Sequence, residues 1–393
     1  MLSLLLKKDA VKEIQKGNPW IWRGMIEMNS ELEMGQPGAL VQIMDNKAKP
    51  IGVGYLNPKN ILACRVLSLQ PNAKINRQFF YNAFKAALQK REKHFAQPFY
   101  RLAHSESDNL PGLVVDRFGE IIVCQTSTAG METLKPLWLP ALQELLNPHA
   151  ITLRDDVPAR KKEGLNVGVS VYFGQVPEYI EVLERNRIYL ANLLEGQKTG
   201  WFYDQRANRT YLSSLVSGKN VLDLYSHSGG FGMAAGMGNA ASVTMVDSSS
   251  LALELAGRAA KLNGIENICT YERADAYEYL EKCVLSGKQF DVVMADPPAF
   301  IKEKRFIMAG LKGYQKLAFL CTKTTLTDGV FAIASCSHHA TENALQRCVE
   351  EGITKAGRKY KLIHKAGADK DHPVHPALPE SKYLKFMAYH ILA

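Results

Sequence analysis

The sequence predicts an α/β protein whose last region, residues 187–393, builds a mostly parallel, doubly wound sheet. Three observations predict it. Apolar strand-like runs at 221–225, 243–247, 268–271, 290–295, 329–334, 359–364 and 383–391 alternate with helical periodicity. The first run carries Asp223 into the small-residue turn Tyr225-Ser-His-Ser-Gly-Gly-Phe231, where Gly229 and Gly230 put no Cβ in the way of a ligand. Polar residues then stand where later strands end: Asp247, Asp275, Asp296 and Ser335-Cys-Ser337. The carboxyl ends of strands are where doubly wound sheets bind ligands. Only a Pro- and His-rich loop separates the last two runs, which predicts antiparallel pairing at the sheet edge.

Two further regions precede this one. Residues 1–72 read as a small β-rich module, with apolar stretches at 39–44, 51–55 and 61–67 separated by Gly, Pro and Asn turns. A helical stretch from Asp9 to Lys16 leads to Asn18-Pro-Trp-Ile-Trp-Arg23. Trp20 and Trp22 read as core filling of a small domain in preference to a base-stacking surface. Residues 73–186 read as mixed α/β, with a basic-faced helix over 76–95 and strands at 113–119 and 121–125 joined at Gly119. Residues 135–146 read as a helix despite Pro140. Arg160-Lys-Lys162 is a solvated basic loop or an RNA contact.

Composition narrows the class. With 393 residues, 46% hydrophobic and 22% charged, the chain is globular and long enough for several domains. No apolar run approaches the roughly 20 residues of a membrane helix, and Met1–Lys8 lacks the order of a signal peptide. A cytoplasmic protein with no membrane association is expected. Seven scattered cysteines without a C-x-x-C pair predict neither a disulfide framework nor a metal site. The net charge of +9 is spread along the chain, which suits a phosphate-backbone partner and also many ordinary basic proteins.

The rim residues suggest the chemistry. Asp247 follows Asp223 by one βα unit and can accept both ribose hydroxyls of an adenosine. Asp275 can reach an adenine amino group, although a turn aspartate is as often a helix cap. No Walker pattern appears, so a phosphate cradle is not expected, and S-adenosylmethionine fits better than NAD. The cofactor-binding set expected on this rim is Asp223, Tyr225, Ser226, Ser228, Gly229, Gly230, Phe231, Asp247, Ser248, Asp275 and Ala276. In Asp296-Pro297-Pro298, two prolines fix φ and hold a carboxylate at the sheet edge. Such a loop can bond the edge of an extruded base, with Phe300 as a stacking face and Lys302, Lys304 and Arg305 as neighbouring cations. Cys336 ends the strand beyond Asp296. A thiolate there can attack carbon 6 of a pyrimidine and activate carbon 5, although most free cysteines are unreactive core residues. His338 and His339 are left without an assigned role.

Taken in order, these pieces resemble the bacterial 23S ribosomal RNA large-subunit methyltransferase I family, makers of 5-methylcytosine. The resemblance is carried by Asn18-Pro-Trp-Ile-Trp22, Glu106–Gly119, Arg160–Gly164, Lys198–Arg206, Gly229-Gly-Phe231, Asp296-Pro-Pro298, Gly313-Tyr314, Ser335-Cys-Ser337 and Tyr383-Leu-Lys385. It implies an N-terminal PUA domain (1–72), a central α/β domain (73–186) and a C-terminal Rossmann-like class I methyltransferase domain (187–393). It implies Cys336 as nucleophile, Asp296 as base holder, and Asp204, Gln205 and Arg206 beside the methyl donor. RNA is the implied partner, and a homodimer is admitted because many PUA-bearing methyltransferases pair. This chain departs from the family at His227-Ser228, at Ala299–Lys304 and at His338-His-Ala340, and the last two segments border the target base. N-methylation of a base, or an inactive RNA-binding assembly protein, are the competing readings.

Overall fold

The computed structural model describes residues 1–393. The chain divides into two compact units. The first comprises Met1–Glu178, Asn192–Tyr203 and Lys370–Ser381; the second comprises Tyr179–Ala191, Asp204–Asp369 and Lys382–Ala393. No helix is long and apolar enough to cross a membrane.

The first unit holds two five-stranded sheets. Strands β1 (Leu2–Leu5), β2 (Trp20–Trp22), β3 (Ala39–Met44), β4 (Pro50–Leu56) and β5 (Leu62–Ser68) pair in the order β1-β3-β4-β5-β2. Their inward faces, with Ile14 of the helix Lys8–Gln15, supply a small core that includes Leu4, Ile21, Val41, Ile43 and Leu56. Trp22 stays 38% exposed, and Trp20 is half-buried with its indole N–H donating to Glu106 Oε1 at 2.9 Å. The tryptophans therefore do not fill the core as expected; Ile21, between them, does. Strands β6 (Phe99–His104), β7 (Leu113–Phe118), β8 (Ile121–Thr126), β9 (Ala150–Arg154) and β10 (Val169–Gly174) pair in the order β10-β9-β8-β7-β6. Helices Arg77–Glu92 and Lys135–Leu146 supply Phe80, Phe84, Trp138 and Leu142 to its core, and Pro140 sits inside the second helix. The two sheets are tied together. The Tyr55 hydroxyl donates to Pro111 O at 2.8 Å, and Glu163 accepts from Asn57, Asn60 and Arg65. Arg160 and Lys162 lie in the short helix Ala159–Lys162, where Arg160 is buried on Thr126 and Glu132 rather than solvated.

The second unit opens with the hairpin β11 (Ile180–Glu184) and β12 (Arg187–Ala191), so the expected boundary after residue 186 falls inside a paired hairpin. A seven-stranded sheet follows: β13 (Asn220–Leu224), β14 (Ser242–Asp247), β15 (Cys269–Arg273), β16 (Phe290–Ala295), β17 (Thr325–Ser335), β18 (Lys359–Ala366) and β19 (Lys385–Leu392). Their order is β15-β14-β13-β16-β17-β19-β18. The first five are mutually parallel, whereas β19 inserts between β17 and β18 and runs antiparallel to both. The order turns back at β13, between β14 and β16, which is the switch point where open α/β sheets leave a crevice. Both sheet faces are covered, and Leu224, Val293, Phe331, Tyr314 and Leu317 lie in one continuous core. The central strands read as near-continuous apolar runs for that reason.

Candidate active site

Two loops leave the carboxyl end of the sheet on either side of the switch point. The first follows β13. Tyr225 (φ +58°), His227 (φ +51°) and Gly229 (φ +81°) alternate in the left-handed region, and the helix Gly230–Gly236 begins directly after them. Left-handed backbone costs a non-glycine residue about 1–2 kcal/mol, and such strain gathers at ligand sites. It is held in place by hydrogen bonds. Asp223 Oδ2 accepts from Gly232 N at 2.7 Å, and His227 N donates to Asp247 Oδ2 at 2.9 Å.

The loop leaves unmet polar valences. Asp223 is 1% exposed and its Oδ1 has no hydrogen-bond partner. Ser226 Oγ is buried and equally unpartnered. Burial pushes the Asp223 carboxyl up to about 8, opposed by the Gly232 N–H and reinforced by the Asp296 and Asp247 charges. A buried acceptor without a donor is costly in a finished fold. The arrangement fits a ligand that brings donors or positive charge. Asp247, at the end of β14, takes one backbone N–H on each oxygen, from His227 and from Ser249, and keeps a lone pair on each for hydroxyls. Asp275 is different. Its Oδ1 caps the helix Ala276–Ser286 by accepting from Tyr277 N and Glu278 N, while Oδ2 carries no bond to the chain. Ser248 is exposed at the rim, while Ser228, Phe231 and Ala276 are buried around it.

The second pair of loops follows β16 and β17. These are parallel neighbours with Ala295 in register with Ile333, so Asp296 and Cys336 leave the same end of adjacent strands. Asp296 N donates to Leu224 O at 3.3 Å, and Asp296 Oδ2 accepts from Gln205 Nε2 at 2.9 Å. Gln205 is itself fixed, its Oε1 accepting from Asn208 Nδ2 at 2.6 Å. Cys336 is half-buried between two fully buried serines. The Tyr314 hydroxyl bridges them, 2.8 Å from Ser335 Oγ and 2.9 Å from Ser337 Oγ. Ile301 N, in the loop after Pro298, donates to Ser337 Oγ at 3.3 Å. That bond joins the Asp-Pro-Pro loop to the Ser-Cys-Ser loop.

The model for the PUA-like domain matches residues 4–69, and the model "Conserved hypothetical protein 95" matches residues 205–357. A relative named ribosomal RNA large subunit methyltransferase I, from Cronobacter sakazakii, is 33% identical over 397 aligned positions, covering all of both chains. One of the same name from Erwinia tasmaniensis is 32% identical with the same coverage. The chain belongs to the ribosomal RNA large subunit methyltransferase I family. Two solved structures share the fold of this family member. A candidate SAM-dependent methyltransferase from Streptococcus mutans matches at TM-score 0.84 and 22% identity, over 99% of this chain and 100% of that one. A candidate methyltransferase complexed with SAH matches at TM-score 0.85 and 21% identity, with the same coverage.

The other residues expected at the site of this methyltransferase have defined surroundings. Phe300, half-buried, turns its ring onto Tyr314, with centroids 4.6 Å apart, and packs against Gly313, so it buttresses the serine-bridging tyrosine. Arg206 is buried against Glu184 at 3.7 Å and Asp369 at 3.4 Å. Asp204 Oδ2 accepts from the Tyr383 hydroxyl at 2.6 Å, and Tyr383 stacks on His338 with centroids 5.3 Å apart. Lys302, Lys304 and Arg305 are exposed, as a phosphate-facing set requires, and Arg305 pairs with Glu303 at 3.0 Å. Pro297 is buried and Pro298 exposed. Two residues were invisible to sequence reasoning as site members: Tyr314 and Lys385, whose Nζ donates to Ser337 O at 2.8 Å. Both lie in matched motif segments, which was the only available signal.

Proposed function

We propose that this chain methylates carbon 5 of a cytosine in RNA, by its relatives' name the large-subunit (23S) ribosomal RNA, through a covalent adduct on Cys336. S-adenosylmethionine is the donor, supplying an electrophilic methyl carbon on a sulfonium. Asp223, Ser226 and the 225–231 loop hold it, with Asp247 accepting its ribose hydroxyls; Ser228, Ser248, Phe231 and Ala276 shape the surround. The unpartnered Asp223 Oδ1 is the fit that supports this placement.

Carbon 5 of cytosine does not react with a sulfonium until carbon 6 is attacked. The Cys336 thiolate adds to carbon 6, and the displaced electron density makes carbon 5 nucleophilic. Asp296, oriented by Gln205, enters the step protonated and gives its proton to N3 as carbon 6 is attacked, which neutralises the adduct; N3 releases that proton when the ring double bond is restored. After transfer a base, Asp296 or a water, removes the carbon-5 proton; the C–S bond breaks and the thiolate leaves. Lys302, Lys304 and Arg305 meet phosphates beside the extruded base.

The observation that carries this reading is the Ile301–Ser337 hydrogen bond, which brings the cysteine loop and the Asp-Pro-Pro loop together at the rim. Mass mapping of ribosomal RNA from a deletion strain, with and without the restored chain, tests it. One cytidine should lose and regain 5-methylation. A methyl group that instead vanishes from a ring or exocyclic nitrogen replaces this reading with N-methylation.

A further inference from the structure

Lys385 opens β19, in register with Ser335 of β17, the residue before Cys336. Its side chain is buried, 5% exposed, and its Nζ donates to the carbonyl of Ser337, the residue after Cys336. The ammonium is thus tethered across the cysteine. No carboxylate lies within 4 Å of it. The charges acting on it are Cys336 and Glu342, which favour its protonated form, and Lys382, which opposes it. Glu342 is already shared between Lys365 and Lys382. Burial pulls the Lys385 ammonium below the ordinary lysine range, and Cys336 is the largest influence restoring it.

A buried ammonium with one neutral acceptor costs several kcal/mol unless an anion faces it. A thiol beside a fixed cation ionises below its free value near 8.5. Around Cys336 the neighbouring elements contribute Lys385 from β19, Tyr314 from the helix Ile307–Lys323, Asp296 from the end of β16, and His338 and His339 from its own loop. The Tyr314 phenol is kept neutral by burial, so it hydrogen-bonds without adding charge. Lys385 is the lysine of the set.

We propose that Lys385 is a positioning residue that holds Cys336 as a thiolate in the RNA-free enzyme, the thiol proton passing to water. The inference rests on Cys336 being the nucleophile, but its test does not require turnover. The rate of Cys336 alkylation by iodoacetamide is followed against pH by mass spectrometry of its peptide, in the wild-type chain, Lys385→Met and Lys385→Arg. The wild-type midpoint should lie at least about one pH unit below that of Lys385→Met, read from the full pH profile of each protein. Lys385→Arg should restore the low midpoint. Equal midpoints in wild type and a folded Lys385→Met overturn the proposal. If that variant does not fold, the reference is the same cysteine in urea-unfolded wild type, and a native midpoint at or above the unfolded one overturns it equally. A low midpoint with no covalent RNA adduct would leave the ion pair standing and remove the nucleophile. An adduct with an unshifted midpoint would do the reverse.

Discussion

Asp223→Asn should make the cofactor-free protein more stable while weakening cofactor binding. The side chain keeps its shape, and Asn Oδ1 can still accept from Gly232 N, as Asp223 Oδ2 does at 2.7 Å. What changes is the unpartnered position, where an acceptor becomes an N–H donor. Burial raises the carboxyl from the ordinary 3.8 to about 8. Between pH 4 and 8 the folded chain therefore holds a proton that the unfolded chain has released, and stability falls as pH rises through that window. At roughly 1.4 kcal/mol per pKa unit, the loss by pH 7 is at most about 4 kcal/mol. Asparagine carries no such penalty. Thermal unfolding of the cofactor-free variant should come several degrees above wild type at pH 7 and converge with it near pH 4. Calorimetric titration with S-adenosylmethionine should show a loss of about 1.5–3 kcal/mol, the value of a hydrogen bond to a charged group, or roughly 10- to 150-fold in affinity. A variant that is less stable and binds the cofactor normally would show that Asp223 is a structural residue with a satisfied carboxylate.

Other consequences separate roles within the site. Gln205→Leu removes the donor to Asp296 Oδ2, so it should lower kcat about tenfold while leaving S-adenosylmethionine affinity unchanged in a titration. A parallel fall in cofactor affinity would return Gln205 to the donor pocket. Arg209→Leu removes the guanidinium that hydrogen-bonds both oxygens of buried Glu184, leaving Arg206 at 3.7 Å, and should cost about 3 kcal/mol in chemical denaturation. A change under about 1 kcal/mol would mean that the pair is solvated.

The strands of the second unit were legible because both sheet faces are covered, which leaves apolar runs bounded by turn residues. The antiparallel pairing of β18 with β19 at the edge was legible too, but the insertion of β19 beside β17 was not, since strand order follows from packing and hydropathy does not encode it. The hairpin β11–β12 was hidden for a different reason. Glu184 and Arg187 break its apolar pattern, and the distant Arg209 and Arg206 make the buried Glu184 tolerable. The rim positions of Asp223, Asp296 and Cys336 were readable, because each stands at or just past the end of an apolar strand. The contacts that distant residues make with them were not. Gln205 meets Asp296 across 91 residues of chain, and Lys385 meets Ser337 across 48. Asp275 was ambiguous in sequence because a strand-end aspartate and a helix N-cap occupy the same position in a βα unit.

The covalent step can be seen directly. Incubating the wild-type chain with S-adenosylmethionine and ribosomal RNA containing 5-fluorocytidine blocks the final proton removal. The account predicts an RNA–protein complex that survives denaturation, with the cross-linked nucleotide on the Cys336 peptide and no complex from Cys336→Ser. Methyl transfer by Cys336→Ser at the wild-type rate, or a trapped nucleotide on any other residue, would contradict it.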